Sequence, residues 1–184
     1  MTTVLALVGS LRADSTNRKI AELAQKIAPE GVEVRIGTGL GDVPFYNEDI
    51  DGDDVPAAAV ALREQVAAAD AVLLVTPEYN GGLPAVLKNA IDWASRPYGQ
   101  GSLTGKPVAA LGATLGAYGG VWAHEDSLKS AKIAGGKPHE TPAGSFKVGA
   151  WTGTGHPEEQ PEVVEAVTNA LTTLVAEAKA SVAA

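Results

Sequence analysis

Residues able to hold a flat aromatic ring follow the apolar run at positions 70–75. The candidates in the next segment, TPEYNGG, are Pro77, Glu78, Tyr79, Asn80 and Gly81. Tyr79 offers an apolar face for stacking and a hydroxyl at its rim, and Gly81 lets the backbone approach a planar ligand closely. N–H groups of such a loop can also donate to the polar edge of a ring. The segment therefore predicts a platform for a flat ring. Two simpler interpretations stay open: Tyr79 can pack on a helix or a partner subunit, and Glu78 and Asn80 can be ordinary turn residues.

A second loop, after the apolar run at 3–8, is rich in hydrogen-bond donors that suit a phosphate. These candidates are Ser10, Arg12, Ser15, Thr16 and Asn17. They open a predicted helix, whose free N–H groups and positive dipole end favour an anion. Arg12 can donate two hydrogen bonds at once to phosphate oxygens. The alternative is an ordinary helix N-cap by Ser15 or Thr16.

A third loop, GATLGAYGG at 112–120, ends another apolar run. Thr114, Gly116 and Gly119 are its candidates for the far side of the same pocket. The glycines can equally serve a turn or the packing of the helix that follows, and the sequence leaves both interpretations open.

Short apolar runs alternate with helical patterns along the chain. Strands are predicted at 3–8, 32–36, 70–75, 106–113 and 145–150. Helices are predicted at 16–28, 56–69, 83–95, after the glycines of the third loop, and from residue 157 onward. The last helix should bury Val164, Val167, Leu171, Leu174 and Ala178, which share one face at helical spacing.

This alternation predicts an α/β fold: one flavodoxin-like domain over residues 1–184, a three-layer α/β/α sandwich around a five-stranded parallel sheet of order 2-1-3-4-5. Ligands of such sheets bind at the carboxyl ends of the strands, where the strand order reverses. That point lies between the first and third strands. The loops at 9–17 and 76–84 follow those two strands and are therefore expected to meet.

Composition excludes several classes of function. Fourteen basic residues stand against 22 acidic ones, a net charge of −8, which argues against a nucleic-acid partner. The chain has no cysteine, so disulfides and thiol catalysis are excluded. It has no apolar run of the roughly 18 residues that a membrane span needs, and no basic region of a signal sequence at its start. We expect no membrane insertion and a cytoplasmic location. The three histidines (124, 139 and 156) stand apart in regions expected to be exposed, so no metal site is predicted.

Two of these motifs resemble a known family. GSLRADSTNRKI and PEYNGGLPAVLKNAIDW, in this order, resemble the NAD(P)H-dependent FMN reductases, a flavodoxin-like group that includes bacterial quinone and chromate reductases. The resemblance extends more loosely through GATLGAYGGVWAHEDSL. It implies that the loop at 10–17 holds the FMN phosphate, that residues 77–81 lie against the isoalloxazine ring, and that Thr114 is near the flavin. It also implies a homodimer or homotetramer.

The resemblance further implies hydride transfer from NADPH or NADH to flavin N5, and passage of electrons to a quinone, free flavin or similar small-molecule acceptor. No side chain is then needed as acid, base or nucleophile, because a flavin carries the chemistry itself. One departure concerns Val121 and Trp122, where relatives often have a small residue and an arginine. Trp122 is expected to be buried between subunits, the alternative being a lid over the pocket.

Two rival functions stay open. A non-enzymatic electron carrier like flavodoxin would bind FMN without using a nicotinamide, although Arg12 and the PEYNGGLP segment speak against it. A flavin-free scaffold would have kept only the fold, and refusal to bind FMN would favour it.

Overall fold

Strands and helices alternate between residues 1 and 183, the part of the chain that the computed structural model describes. The predicted domain extends to Ala184, which lies outside this range. The strands are β1 (Thr2–Val8), β2 (Val32–Ile36), β3 (Ala71–Val75), β4 (Pro107–Thr114), β5 (Lys137–Pro138) and β6 (Gly144–Lys147). The helices are α1 (Thr16–Lys26), α2 (Ala57–Ala67), α3 (Ala85–Ala94), α4 (Val121–Ile133) and α5 (Pro161–Ala183).

The sheet is parallel and has the order β2-β1-β3-β4-β5, so the predicted fold class and strand order are confirmed. At the centre of the sheet, Val4 of β1 pairs with Val34 of β2 on one side and with Ala71 of β3 on the other. The reversal of strand order therefore falls between β1 and β3, as the sequence predicts.

Helices cover both faces of the sheet, because the central strands carry apolar side chains on both faces. Along β1, Val4, Ala6 and Val8 point to the face covered by α1 and α5. Leu5 and Leu7 point to the opposite face, which packs on α2, α3 and α4. Successive side chains of a strand alternate between faces, so continuous apolar runs are what a sheet buried on both sides requires.

The fifth position of the sheet differs from the prediction of one strand at 145–150. Two short strands share it: β5 pairs with the start of β4, and β6 pairs with its end, from Leu111–Gly144 to Thr114–Lys147. Pro138 and Pro142 interrupt the segment, and a proline has no N–H to donate to a ladder. The strand also ends at Lys147, because residues 148–150 turn into a short 3₁₀ helix.

The last helix starts later than the predicted residue 157. Residues 157–159 form a separate 3₁₀ turn, and α5 begins at Pro161, a residue type favoured at the first helical position. Val163 is fully buried, whereas the predicted Val164 only packs on the edge of the core. The inward positions predicted further along this helix, from Val167 to Ala178, are buried. Within residues 1–183 no helix, including α5, combines the length and the apolar character needed to cross a membrane.

Asn89 on α3 holds the long loop after β2. Its Oδ1 accepts from the Tyr46 N–H at 2.8 Å, and its Nδ2 donates to the carbonyls of Val43 and Pro44 at 3.2 and 3.0 Å. The side chain is buried. An unpaired backbone group in the interior destabilises the fold, and this one amide pairs three groups, of which the Pro44 carbonyl also accepts from Trp93 Nε1 at 2.8 Å.

We predict that Asn89→Ala lowers the free energy of unfolding by about 1–3 kcal/mol, because the Val43 carbonyl and the Tyr46 N–H lose their partner. Lys88→Ala on the same helix is the matched control. Its ion pair with Asp92, at 2.6 Å, is exposed, and such pairs contribute about 0.3–0.5 kcal/mol. Urea denaturation measures both, and equal losses would contradict the role of Asn89.

Candidate functional site

The sheet opens at its carboxyl edge, where β3 and β4 separate. Their last ladder bond runs from the Thr76 N–H to the Leu111 carbonyl, at 3.0 Å. A continued parallel ladder would next join the Ala113 N–H to the Thr76 carbonyl, but other partners take both groups. Pairing of β3 with β1 ends at the same level, because Pro77 has no N–H for the next acceptor.

Asn17 takes the place of the missing strand beside Ala113. Its Oδ1 accepts from the Ala113 N–H and its Nδ2 donates to the Ala113 carbonyl, both at 2.9 Å. The side chain is buried. Asn17 was predicted to bind phosphate, and its amide is instead used by β4. What it can still offer a ligand at the start of α1 is its backbone N–H.

His124 satisfies the other group, the carbonyl of Thr76. Its Nε2 lies 2.9 Å from this carbonyl and its Nδ1 lies 2.6 Å from the Ser145 hydroxyl. A carbonyl can only accept, so Nε2 carries a hydrogen, and in the neutral ring Nδ1 then accepts from the Ser145 hydroxyl. Burial lowers the pKa of His124, against smaller opposing effects of the Thr76 carbonyl and Glu78. The ring is fully buried.

The prediction that all three histidines are exposed is therefore wrong for His124. His139 is half-buried and lies 3.2 Å from a carboxylate oxygen of Glu177, and the His156 ring accepts from the Glu158 N–H. Among residues 1–183, no group of three or more potential metal-ligating side chains is present.

A cavity of about 300 Å³ lies at the opening between the strands, at the lower end of the roughly 300–1,000 Å³ usual for ligand sites. It is lined by eight of the predicted site residues: Ser10, Arg12, Ser15, Thr16, Asn17, Pro77, Tyr79 and Thr114. The loops after β1, β3 and β4 thus meet, as their positions after the strands suggest. Three further residues line the cavity that the sequence did not single out: Ala113, Leu115 and Val148. Val148 was missed because its strand was predicted to continue past it.

Five predicted residues do not line this cavity: Glu78, Asn80, Gly81, Gly116 and Gly119. Glu78 instead holds a helix, since its Oε2 accepts from the Ala123 N–H in the first turn of α4, at 3.3 Å. Gly119 has a φ of 66° and packs so closely on Ser145 that an added Cβ would lie 2.6 Å from its carbonyl oxygen. The N–H of Gly116 reaches the Thr114 hydroxyl at 3.5 Å.

The turn after Pro77 has a defined geometry. Tyr79 and Gly82 exchange two backbone hydrogen bonds of 3.1 Å, and between them Asn80 and Gly81 have φ angles of 52° and 76°. Two central residues with positive φ define a type I′ turn, for which Asn-Gly is the preferred pair. The turn presents Tyr79 at the cavity with 53% of its surface exposed.

The other end of the cavity is the start of α1. The Ser15 hydroxyl caps the helix by accepting from the Arg18 N–H at 3.2 Å. Thr16 and Asn17 follow, and their N–H groups have no partner within the helix. Arg12 lies beside them, with its Nη2 donating to the Asp14 carbonyl at 2.9 Å. Arg12 is the one charged residue among those that line the cavity, in a chain of net charge −8. This end therefore favours an anion.

Trp122 lies outside the cavity lining, next to the ring-side turn. Its indole is 3.9 Å from the position that a Cβ on Gly81 would take, and it packs on Tyr118 with ring centroids 4.8 Å apart. In this single chain 47% of Trp122 is exposed.

Comparison with known families and sequences gives a consistent match. A family model described as NADPH-dependent FMN reductase matches residues 2–153. A quinone reductase of Pseudomonas putida is 46% identical over 121 residues, which cover 66% of this chain and 64% of that protein. A 2-hydroxy-1,4-benzoquinone reductase of a Burkholderia species is 46% identical over 116 residues, 63% of this chain and 62% of the relative. The matched region thus spans less than two thirds of these relatives.

Comparison with solved structures extends the likeness to almost the whole chain. FerB, a flavoenzyme NAD(P)H:(acceptor) oxidoreductase from Paracoccus denitrificans, superposes with a TM-score of 0.82 at 33% identity, covering 96% of this chain and 99% of FerB.

We predict that Asn17→Ala lowers the free energy of unfolding by about 1–3 kcal/mol, because both buried backbone groups of Ala113 lose their partner. The neighbouring Thr16→Ala is the control, since the Thr16 side chain lines the cavity and alanine is a good helix former. Thermal or urea unfolding without added ligand measures both. An Asn17→Ala variant as stable as Thr16→Ala would contradict the structural role of the amide.

Proposed function

Because the chain belongs to the NADPH-dependent FMN reductase family, we propose that it is an FMN-dependent oxidoreductase that uses NADPH or NADH to reduce a small-molecule acceptor. The acceptor class follows from the two relatives named as quinone and 2-hydroxy-1,4-benzoquinone reductases. A quinone, a free flavin or a similar planar acceptor is proposed here.

The observation that carries the proposal is that the two ends of the cavity differ in their chemistry. One end combines the free N–H groups of α1 with Arg12, and the other presents Tyr79 and Pro77. No carboxylate is among the residues that line it. FMN has the matching form, with an anionic phosphate at one end and a flat ring system at the other. The side chains present therefore fit this cofactor.

We assign the phosphate to Ser10, Arg12, Ser15, Thr16 and the backbone N–H of Asn17. The ring is assigned to the segment Pro77, Glu78, Tyr79, Asn80 and Gly81, with Tyr79 and Pro77 against its face and the N–H groups of the turn toward its polar edge. Thr114 is assigned to the far side, with Gly116 and Gly119 shaping the loop behind it.

When bound, FMN supplies the redox chemistry, taking a hydride from the nicotinamide and passing electrons to the acceptor. The protein's own contribution is binding and orientation. Arg12 and the α1 N-terminus hold a negative charge at one end, and the hydrogen-bonded turn at 79–82 holds Tyr79 at the other. No side chain of the cavity is assigned a role as acid, base or nucleophile.

An anaerobic visible spectrum tests this function directly. The purified protein is mixed with FMN, and NADPH and then NADH are added. We expect a perturbed flavin band that bleaches with at least one nucleotide. Binding without bleaching would point to an electron carrier instead, and no binding at all would contradict the cofactor assignment.

Arg12→Ala should weaken FMN binding at least tenfold, about 1.4 kcal/mol, because a charge-assisted contact with the phosphate is lost. Arg18→Ala is the matched control: it removes the same charge from the first turn of α1, but Arg18 pairs with Glu22 at 3.1 Å and does not line the cavity. Titration by flavin fluorescence measures both dissociation constants. Equal effects of the two substitutions would remove Arg12 from the site.

We further propose that the chain forms a homodimer or homotetramer. Tyr98 and Ile133, which are 85% and 79% exposed, line a groove of about 510 Å³ between α3 and α4 that a second subunit can cover. Light scattering on the purified protein tests this, and a monomeric mass would contradict it. A cytoplasmic location is likewise proposed, and cell fractionation tests it.

A further inference from the structure

We propose that His124 is a positioning residue for the FMN site: its buried imidazole fixes the point at which β3 ends and the ring-binding turn begins. This inference rests on the proposed function, because it assigns a role toward the same cofactor. His124 does not line the cavity. Its effect is exerted through Thr76 and Ser145, the two groups that it contacts.

The contact with Thr76 is placed directly behind the site. Thr76 is fully buried, and the next residue, Pro77, is a wall of the cavity. Because β4 has separated from β3 here, the Thr76 carbonyl has lost the partner that a continued sheet would supply. The Nε2–H of His124 replaces this partner at 2.9 Å.

The ring-side loop is attached to α4 at two neighbouring points. Glu78 accepts from the Ala123 N–H at 3.3 Å, and Thr76 accepts from the side chain of the following residue, His124. These two attachments bracket Pro77. Together they fix both the position and the direction of the chain as it enters the turn that carries Tyr79.

The Ser145 contact ties the same ring to the other side of the cavity. Ser145 lies in β6, and Val148, three residues later, lines the cavity. With Nδ1 accepting from the Ser145 hydroxyl at 2.6 Å, the imidazole joins the end of β3 to β6 across β4.

The two contacts fit the neutral ring, whereas an imidazolium would have to donate to the Ser145 oxygen as well. Nε2 must donate to a carbonyl, so the hydroxyl of Ser145 can donate to Nδ1 only while that nitrogen is unprotonated. Thr76, Ser145 and Gly112, which surround the ring, are uncharged, and Glu78 is the charged group acting on it.

The space that the ring occupies depends on the absence of a side chain at Gly112. A Cβ on Gly112 of β4 would lie 2.8 Å from His124 Nε2 and 2.6 Å from Asn17 Oδ1, and it would collide with the Thr76 carbonyl oxygen. Glycine at 112 therefore lets both buried side chains reach the separated strand ends.

Three probes separate a positioning role from a general loss of structure: FMN, riboflavin and inorganic phosphate. Riboflavin reports on the ring end alone, and phosphate, measured as a competitor of FMN, reports on the other end. His124→Leu removes both polar contacts at similar volume. His124→Gln keeps an N–H that can reach the Thr76 carbonyl.

We expect His124→Leu to weaken FMN and riboflavin binding at least tenfold each, while the phosphate affinity stays within twofold of the wild type. His124→Gln should recover most of the loss. Arg12→Ala should show the reverse pattern, with weakened FMN and phosphate and unchanged riboflavin. Unchanged riboflavin binding by His124→Leu, or equal losses for all three probes, would overturn the positioning role.

If His124→Leu does not fold, as judged by circular dichroism, the variant Ser145→Ala tests the positioning role instead. It removes one contact and should weaken riboflavin at least threefold with phosphate unchanged, and unchanged riboflavin would again overturn the proposal. A wild-type protein that binds neither flavin would overturn the proposed function itself. A wild-type protein and variants that all bind both flavins equally well would overturn only the positioning role of His124.

Discussion

The separation of β3 from β4 after their last shared hydrogen bond is the constraint on which the site depends. A parallel sheet pairs its backbone groups along its whole length. Separation of these two strands leaves three groups without a strand partner: the Ala113 N–H and the carbonyls of Ala113 and Thr76. Such groups cost about 1–3 kcal/mol each when unpaired. Asn17 from α1 binds the Ala113 groups and His124 from α4 binds the Thr76 carbonyl. The strands can separate, and leave a cavity between them, because these two side chains pair the backbone groups that the separation exposes.

The polar residues at this edge fall into two sets with different tasks. The side chains of Asn17 and His124 are buried and hydrogen-bonded to backbone. Those facing the cavity, such as Arg12 and Tyr79, are exposed and leave donors or ring surface free. The first set fixes where the loops begin, and the second offers contacts to a ligand. Since buried polar groups must be fully paired to be tolerated, the side chains of the first set cannot also serve as free ligand contacts, and Asn17 has only its backbone N–H to offer.

Most of the fold could be predicted because its signals are local. Continuous apolar runs mark strands buried on both faces, and the Asn80-Gly81 pair fits the type I′ turn found there. The meeting of the loops followed from the strand order alone. The division of the fifth strand into β5 and β6 was not predicted. Two prolines interrupt this segment, and a run of apolar residues does not show where strand pairing stops.

The roles of Asn17 and His124 could not be predicted, for a different reason. Asn17 has the residue type and position of a phosphate ligand, and only the three-dimensional separation of β3 and β4 shows that its amide is already paired. His124 is the one ionisable residue on the buried side of α4, among Ala123, Ser127 and Leu128. Its burial becomes predictable only when Gly112 is recognised as the space it occupies. A glycine in a buried central strand, unexplained by any turn, is therefore the signal in such a sequence that a polar side chain from a neighbouring helix reaches the sheet.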